Sequence, residues 1–237
     1  MGEVYRLTLR QLTGRWRLII MTVLAALPVI ITTLMVHSDT APSVGGFERT
    51  VLSGMLAGAI TPLIVLAIGT VAFANDIEDK TLANLTLSPI PRWQIVLPKL
   101  LAVITVAAPF IVISAFVTSY IAFLGDTRAV VAIVVSAIAA VALYAAAFVF
   151  LGMVTTQAIG VGLLYIVLWE GFFSQLVEGV RLMSVRHYSI SLMHGIDARR
   201  FAVFDHMQVG IAAVTALVVF TGFVWLAVWR LRRMDVP

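Results

Sequence analysis

The chain has 237 residues, of which 61% are hydrophobic and 12% charged, with a mean hydropathy of +1.05. A soluble domain carries about 25% charged residues to cover its surface, so most of this outer surface must meet lipid rather than water. That excludes a water-soluble enzyme, a collagen-like fibre and a disordered tail. The absence of cysteine excludes a disulfide-stapled domain, a thiolate nucleophile and Cys-ligated zinc or iron–sulfur centres. A net charge of +4 and a pI near 9.9 would suggest nucleic acid in a soluble protein. Here the basic residues flank apolar runs, a pattern of membrane orientation with no nucleic-acid partner.

In chain order, the first element expected is an N-terminal helix lying in the headgroup layer. At about 100° per residue Tyr5, Leu9, Leu12 and Trp16 share a face beside Arg6, Arg10 and Arg17, which suits an interfacial helix; the alternative is a disordered leader. The apolar run that follows is longer than a signal-peptide core and reads as a first span. A crossing needs about 20 mostly apolar residues, and the charges delimit five such blocks. The block from Ala129 to Trp169 is roughly twice one span, with a break expected at Thr155-Thr156-Gln157, so six helices are predicted, at about 18–36, 51–75, 100–124, 129–153, 156–173 and 209–229. The fold class is an all-α integral membrane protein forming one transmembrane domain over 1–237.

Arginine and lysine set the orientation. Arg6, Arg10, Arg15 and Arg17, then Lys80, Arg92 and Lys99, then Arg230, Arg232 and Arg233 place both termini and the second loop in the cytoplasm. The connection from Glu170 to Gln208 runs against this trend with Arg181, Arg186, Arg199 and Arg200, but it also carries Glu170, Glu178, Asp197 and Asp205. It is long enough for short helices of its own and for a re-entrant segment shielded by protein.

Sites of intramembrane chemistry are sparse. His37, His187, His194 and His206 form no HExxH and no close pairing with carboxylates at ligand spacing, so no metal site is expected. No GxxxxGK[ST] occurs, so the chain cannot hydrolyse ATP alone. Gly54 and Gly58 make a GxxxG, read as helix packing within one chain rather than a dimer seam. Glu170 is the structural or gating candidate. A carboxylate at membrane depth faces a cavity or a partner, with Arg181, Arg186 and His187 as possible partners; alternatively Glu170 marks where the span ends in water.

The second loop is the most informative segment. Asp76, Glu78 and Asp79 favour a helix N-terminus, Leu82 and Leu85 share a face, Ser88-Pro89 stops the helix and Pro91 can open a second short one. A short amphipathic helix held between two spans is suited to dock into another protein. The order acid, Thr-Leu, Leu, Pro-x-x-Arg and Lys entering a span resembles the signature of the type-2 ABC exporter permeases. Asp76, Thr81, Leu82, Leu85, Pro89, Arg92 and Lys99 carry the match. Lys80 stands where glycine is common, and Pro98 replaces the frequent glycine before the lysine. The resemblance extends to the N-terminal helix, six spans, the Trp169-Glu170 pair and Ser184-Val185-Arg186-His187-Tyr188 before the last span.

The resemblance implies a permease half that dimerises with a second permease copy, homo- or heterodimeric, in a bacterial or archaeal plasma membrane. It pairs with two copies of a separate ABC ATPase subunit touched by the coupling helix at Asp76, Glu78, Thr81, Leu82, Leu85, Pro89 and Arg92. ATP and magnesium then belong to that subunit, with no cofactor and no catalytic residue here. Two rival classes remain open: a membrane scaffold or immunity protein that transports nothing, and an ion-coupled secondary transporter. The second usually carries several buried ionisable groups and repeated broken helices, whereas one candidate carboxylate is visible here.

Overall fold

The computed structural model describes residues 2–38, 44–78, 91–173, 184–201 and 207–233, and among them every regular element is helical. Five helices are long and apolar enough to cross a membrane, which gives the chain the make-up of a multi-pass membrane protein. After α1 (Gly2–Leu12) come α2 (Arg15–Val36), α3 (Glu48–Ala74), α4 (Trp93–Phe123), α5 (Thr127–Val154), a shorter α6 (Ala158–Leu164) that continues as Tyr165–Phe173, α7 (Val185–Ile196) and α8 (Val209–Arg233). The fifth predicted crossing falls on the shorter apolar helix Ala158–Phe172.

The hub is α5, which packs against α3, α4, α7 and α8. Two-thirds of its apolar window is buried, 67%, against 22% for α2 and 11% for α8, so α2 and α8 are the most exposed of the long apolar helices among the described residues. Close approach relies on small residues. A Cβ on Gly152 of α5 would collide with the Thr70 carbonyl oxygen of α3, so there the two backbones approach more closely than a larger residue permits, while Gly162 of α6 receives the tip of the Leu66 side chain.

Helix boundaries follow local chemistry. Leu124 in the left-handed region (φ 42°) ends α4 and Gly125 (φ 95°) turns the chain. Asp126 then caps α5, its Oδ1 accepting from the backbone N–H of Arg128 at 3.2 Å and Ala129 at 3.5 Å. The predicted break is present: α5 ends at Val154, Thr155 is extended and Gln157 precedes α6. The first half of α3, Glu48–Ile60, is wound as a π-helix before Thr61–Gly69 resumes α geometry, and Val71–Glu78 carries the helix onward.

Two expectations are corrected. Pro91 opens no separate short helix: Pro91 and Arg92 lead directly into the 31-residue α4, which runs through Pro98 and Pro109. Lys99 therefore lies inside that helix rather than at its entry. The face of α1 expected to meet lipid also packs on protein. Thr8 and Leu12 are buried, Leu9 packs against the core, and Tyr5 Oη donates to Thr105 Oγ1 of α4 at 3.1 Å.

Candidate functional site

The site is built where α6 runs into α7 across α3 and α5. Glu170 lies in the π-wound stretch Tyr165–Phe173 and is fully buried, so it does not mark a helix end in water. A carboxylate there needs donors, and the described residues supply them. Ser184 Oγ donates to Oε2 at 2.5 Å, the Val185 backbone N–H donates to Oε1 at 2.9 Å, and Tyr165 Oη donates to Oε1 at 3.1 Å. Ser184 is also the N-cap of α7, its Oγ accepting from the His187 N–H at 3.2 Å. Glu170 therefore sits at the positive end of α7, where a negative charge is favoured by the helix dipole. Its acid group joins two elements across a chain separation of 14 residues.

Arg186 extends the network to α3 rather than pairing with the carboxylate through a hydrogen bond. Its Nη2 and Nε donate to Ser53 Oγ at 2.7 and 3.1 Å, and Nη1 reaches the Glu170 carbonyl oxygen at 3.5 Å. Burial pulls the guanidinium down from its ordinary value, and the Glu170 charge opposes that shift. The Tyr188 hydroxyl is pushed up by burial and then by the same carboxylate. The arginine packs beside Gly58, where a Cβ would lie 3.4 Å from Arg186 Cδ and Nε. Aromatic rings line the network: Tyr144 stacks on Phe148 at 5.7 Å, Phe148 meets Tyr165 edge-on at 6.3 Å, and Tyr165 stacks on Trp169 at 6.5 Å.

A second charged cluster lies at the α4–α5 hairpin. Arg200 Nη1 is 3.6 Å from Asp126 Oδ2, and its guanidinium lies 4.7 Å from the centroid of Phe123. Phe123 takes edge contacts from Phe47 and Phe201. Beside them Glu48 is 1% exposed, and neither carboxylate oxygen has a hydrogen-bond partner among the described residues.

The segment between α3 and α4, expected from sequence to dock a partner, is only partly described. Asp76 and Glu78 lie on the helical extension Val71–Glu78, while Thr81, Leu82, Leu85 and Pro89 fall outside the described residues. Arg92 is half-buried and begins α4, its carbonyl accepting from the N–H groups of Ile95 and Val96 at 3.1 and 3.2 Å. Lys99 is 1% exposed; its ammonium donates to the Ala72 carbonyl, 27 residues earlier, and lies 4.5 Å from the Phe73 ring centroid. The end of α3 and the first turns of α4 are thereby held together.

Several of these residues escaped sequence reasoning. Ser53 and Tyr144 carry no spacing signal, and Glu48 was hidden by Arg49 beside it at the edge of an apolar run. Ser184 preceding a helix was the one readable cue. Among the described residues no group of three or more acidic or histidine side chains could hold a metal. A scan of protein-family models and a search of curated proteins match nothing to this chain.

Proposed function

We propose that the chain is the membrane-spanning permease subunit of an ATP-driven ABC exporter of the type-2 kind. The observation that carries this reading is the order of residues from Asp76 to Lys99 between two apolar helices. The clamp of Lys99 onto the end of α3 supports it, because a force on the segment would reach α3 and α4 together. On this reading Ala158–Phe173 serves as the fifth of six crossings and both termini are cytoplasmic in a bacterial or archaeal inner membrane. A second permease copy completes the path, and two ATPase subunits bind ATP and magnesium. This chain supplies mechanical switching with no catalytic step, and Glu170 fixes the outer end of the fifth helix to α7. The test is to purify the full chain from native membranes in mild detergent and assay for a bound Mg-dependent ATPase. Recovery of such a subunit in a ratio near one to one supports the reading, and its absence opposes it.

Ion-coupled transport gains one specific observation, because Glu48, Lys99 and Glu170 are all buried where a single buried carboxylate was expected. A cargo gradient driven in proteoliposomes by a proton gradient without ATP would favour that alternative.

A further inference from the structure

Glu48 is a buried acid that neither the exporter reading nor the Glu170 network uses. It opens α3 beside the α4–α5 hairpin, 1% exposed, and neither carboxylate oxygen meets a donor among the described residues. A carboxylate withdrawn from water without a donor is costly when charged, and a group so placed takes up a proton instead.

The ionisable groups around it decide what answers its charge. On its own helix Arg49 is exposed, and at the end of α2 His37 is exposed with its ring on the Thr33 carbonyl. α7 carries Arg186, which donates to Ser53 Oγ, with His187, Tyr188 and His194, and the π-wound end of α6 carries Glu170 with its own donors. The end of α4 brings the exposed Tyr120, and the hairpin brings Asp126 and the exposed Arg128. The turn after α7 brings the exposed Arg199, then Arg200, whose backbone N–H donates to Asp197 Oδ1 at 3.3 Å. Of these, the charge that acts on Glu48 is that of Arg200.

Arg200 stands between two acids. Its Nη1 lies 3.6 Å from Asp126 Oδ2, longer than a hydrogen bond, and both side chains are over a third exposed, so this pair holds weakly. Its guanidinium lies over Phe123, whose edge contact is with Phe47, the residue before Glu48. Arg200 Nε is buried with no acceptor among the described residues. An unused donor and an unused carboxylate thus flank one phenylalanine.

We infer that Glu48 is a proton-binding site, and that Arg200 leaves Asp126 for Glu48 when the proton departs. The step balances. The neutral acid gives its proton to water beside the hairpin, Arg200 replaces that proton as counter-charge, and the Asp126 carboxylate is left to the water it already meets. The turn that carries Arg200 is thereby released from the α4–α5 hairpin. The inference holds whether transport is driven by ATP or by ions, since a bound proton by itself moves no cargo.

The test follows the carboxylic-acid C=O band of the full chain in detergent by infrared difference spectroscopy. Titration runs between about pH 5 and pH 9, where exposed carboxyls keep their charge. One carboxylic acid should lose its proton within that range, and the change should vanish in Glu48→Gln and persist in the exposed control Glu3→Gln. Arg200→Gln should raise the midpoint by about 1–3 units, the effect of removing a close opposite charge. Asp126→Asn, which keeps a capping side chain on α5, should lower it by freeing Arg200. In melting temperature, Glu48→Gln and Arg200→Gln should be additive below the midpoint and non-additive above it, where the new pair exists. Glutamine mimics the neutral acid, so Glu48→Gln should melt with the unsubstituted protein at acid pH. No titrating band, a band that survives in Glu48→Gln, or a midpoint unmoved in Arg200→Gln overturns the inference. So do additivity on both sides of the midpoint and a Glu48→Gln protein that unfolds at acid pH.

Discussion

Replacing Glu170 by glutamine keeps size and removes only charge, so its cost measures what the buried carboxylate does. The acid accepts from Ser184 Oγ, the Val185 N–H and Tyr165 Oη. Hydrogen bonds to a charged group are each worth about 1 kcal/mol more than neutral ones, and the position at the start of α7 adds roughly 0.3–1 kcal/mol. The glutamine amide also places a donor where one of the three donors now points. Relief of the buried charge offsets part of this, leaving an expected net loss of about 2–4 kcal/mol. On a scale of roughly 2–4 °C per kcal/mol the melting temperature in detergent should fall by on the order of 10 °C. Glu3→Gln, at an exposed position on α1, should leave it unchanged. Ser184→Ala should cost about 1–2 kcal/mol through loss of the cap and one acceptor contact, and the double variant should fall short of additivity by about 1 kcal/mol. A Glu170→Gln protein as stable as the Glu3→Gln control would refute the argument that this carboxylate ties α6 to α7.

Gly152→Ala should destabilise by about 1–3 kcal/mol through overpacking, because its Cβ would collide with the Thr70 carbonyl, whereas Gly160→Ala, with nothing within 4 Å, should be neutral; thermal unfolding of the two side by side decides. Lys99→Met leaves the Ala72 carbonyl without its buried donor and should cost about 1–3 kcal/mol, with Lys99→Arg recovering part of the loss in the same assay. Because the chain lacks cysteine, single cysteines at Ser43, Asp126 and Asp197 should react with an impermeant thiol reagent outside sealed cells and one at Ser88 should not; labelling at Ser88 contradicts the six-span topology.

Much of the helical layout was legible because lipid leaves so few charged residues to interrupt it. Arg17, His37, Asp126 and Arg230 sit near helix ends, and the polar Thr155-Thr156-Gln157 breaks the longest apolar run. The environment of Glu170 was not legible. Ser184 and the Val185 N–H come from the start of α7, beyond a separate stretch of chain, and Tyr165 from the carboxylate's own helix, so the basic neighbours that sequence suggested as partners are outweighed by a serine, a backbone N–H and a tyrosine. Pro98 disguised the helical setting of Lys99, since a proline before a charge reads as a boundary, whereas neighbouring helices shelter such prolines in the membrane. The packing of α1 on α4 was not legible for a general reason: an apolar stripe beside arginines fits lipid and a neighbouring helix equally well.

The most direct test of the exporter reading bears on Leu82 and Leu85, whose sequence spacing suits one apolar face in the proposed coupling segment. Burial of a leucine contributes roughly 1.5–3 kcal/mol, so Leu82→Asp or Leu85→Asp should weaken association with the ATPase subunit about ten- to a hundredfold. Thr86→Asp should have a smaller effect, and all three proteins should remain inserted in the membrane. Measured as ATPase recovered per purified chain, a large loss confined to the leucine variants is the predicted result. Full recovery and undiminished hydrolysis in both leucine variants would contradict the assignment of this segment as the coupling element, and with it the reading of the chain as an ABC permease.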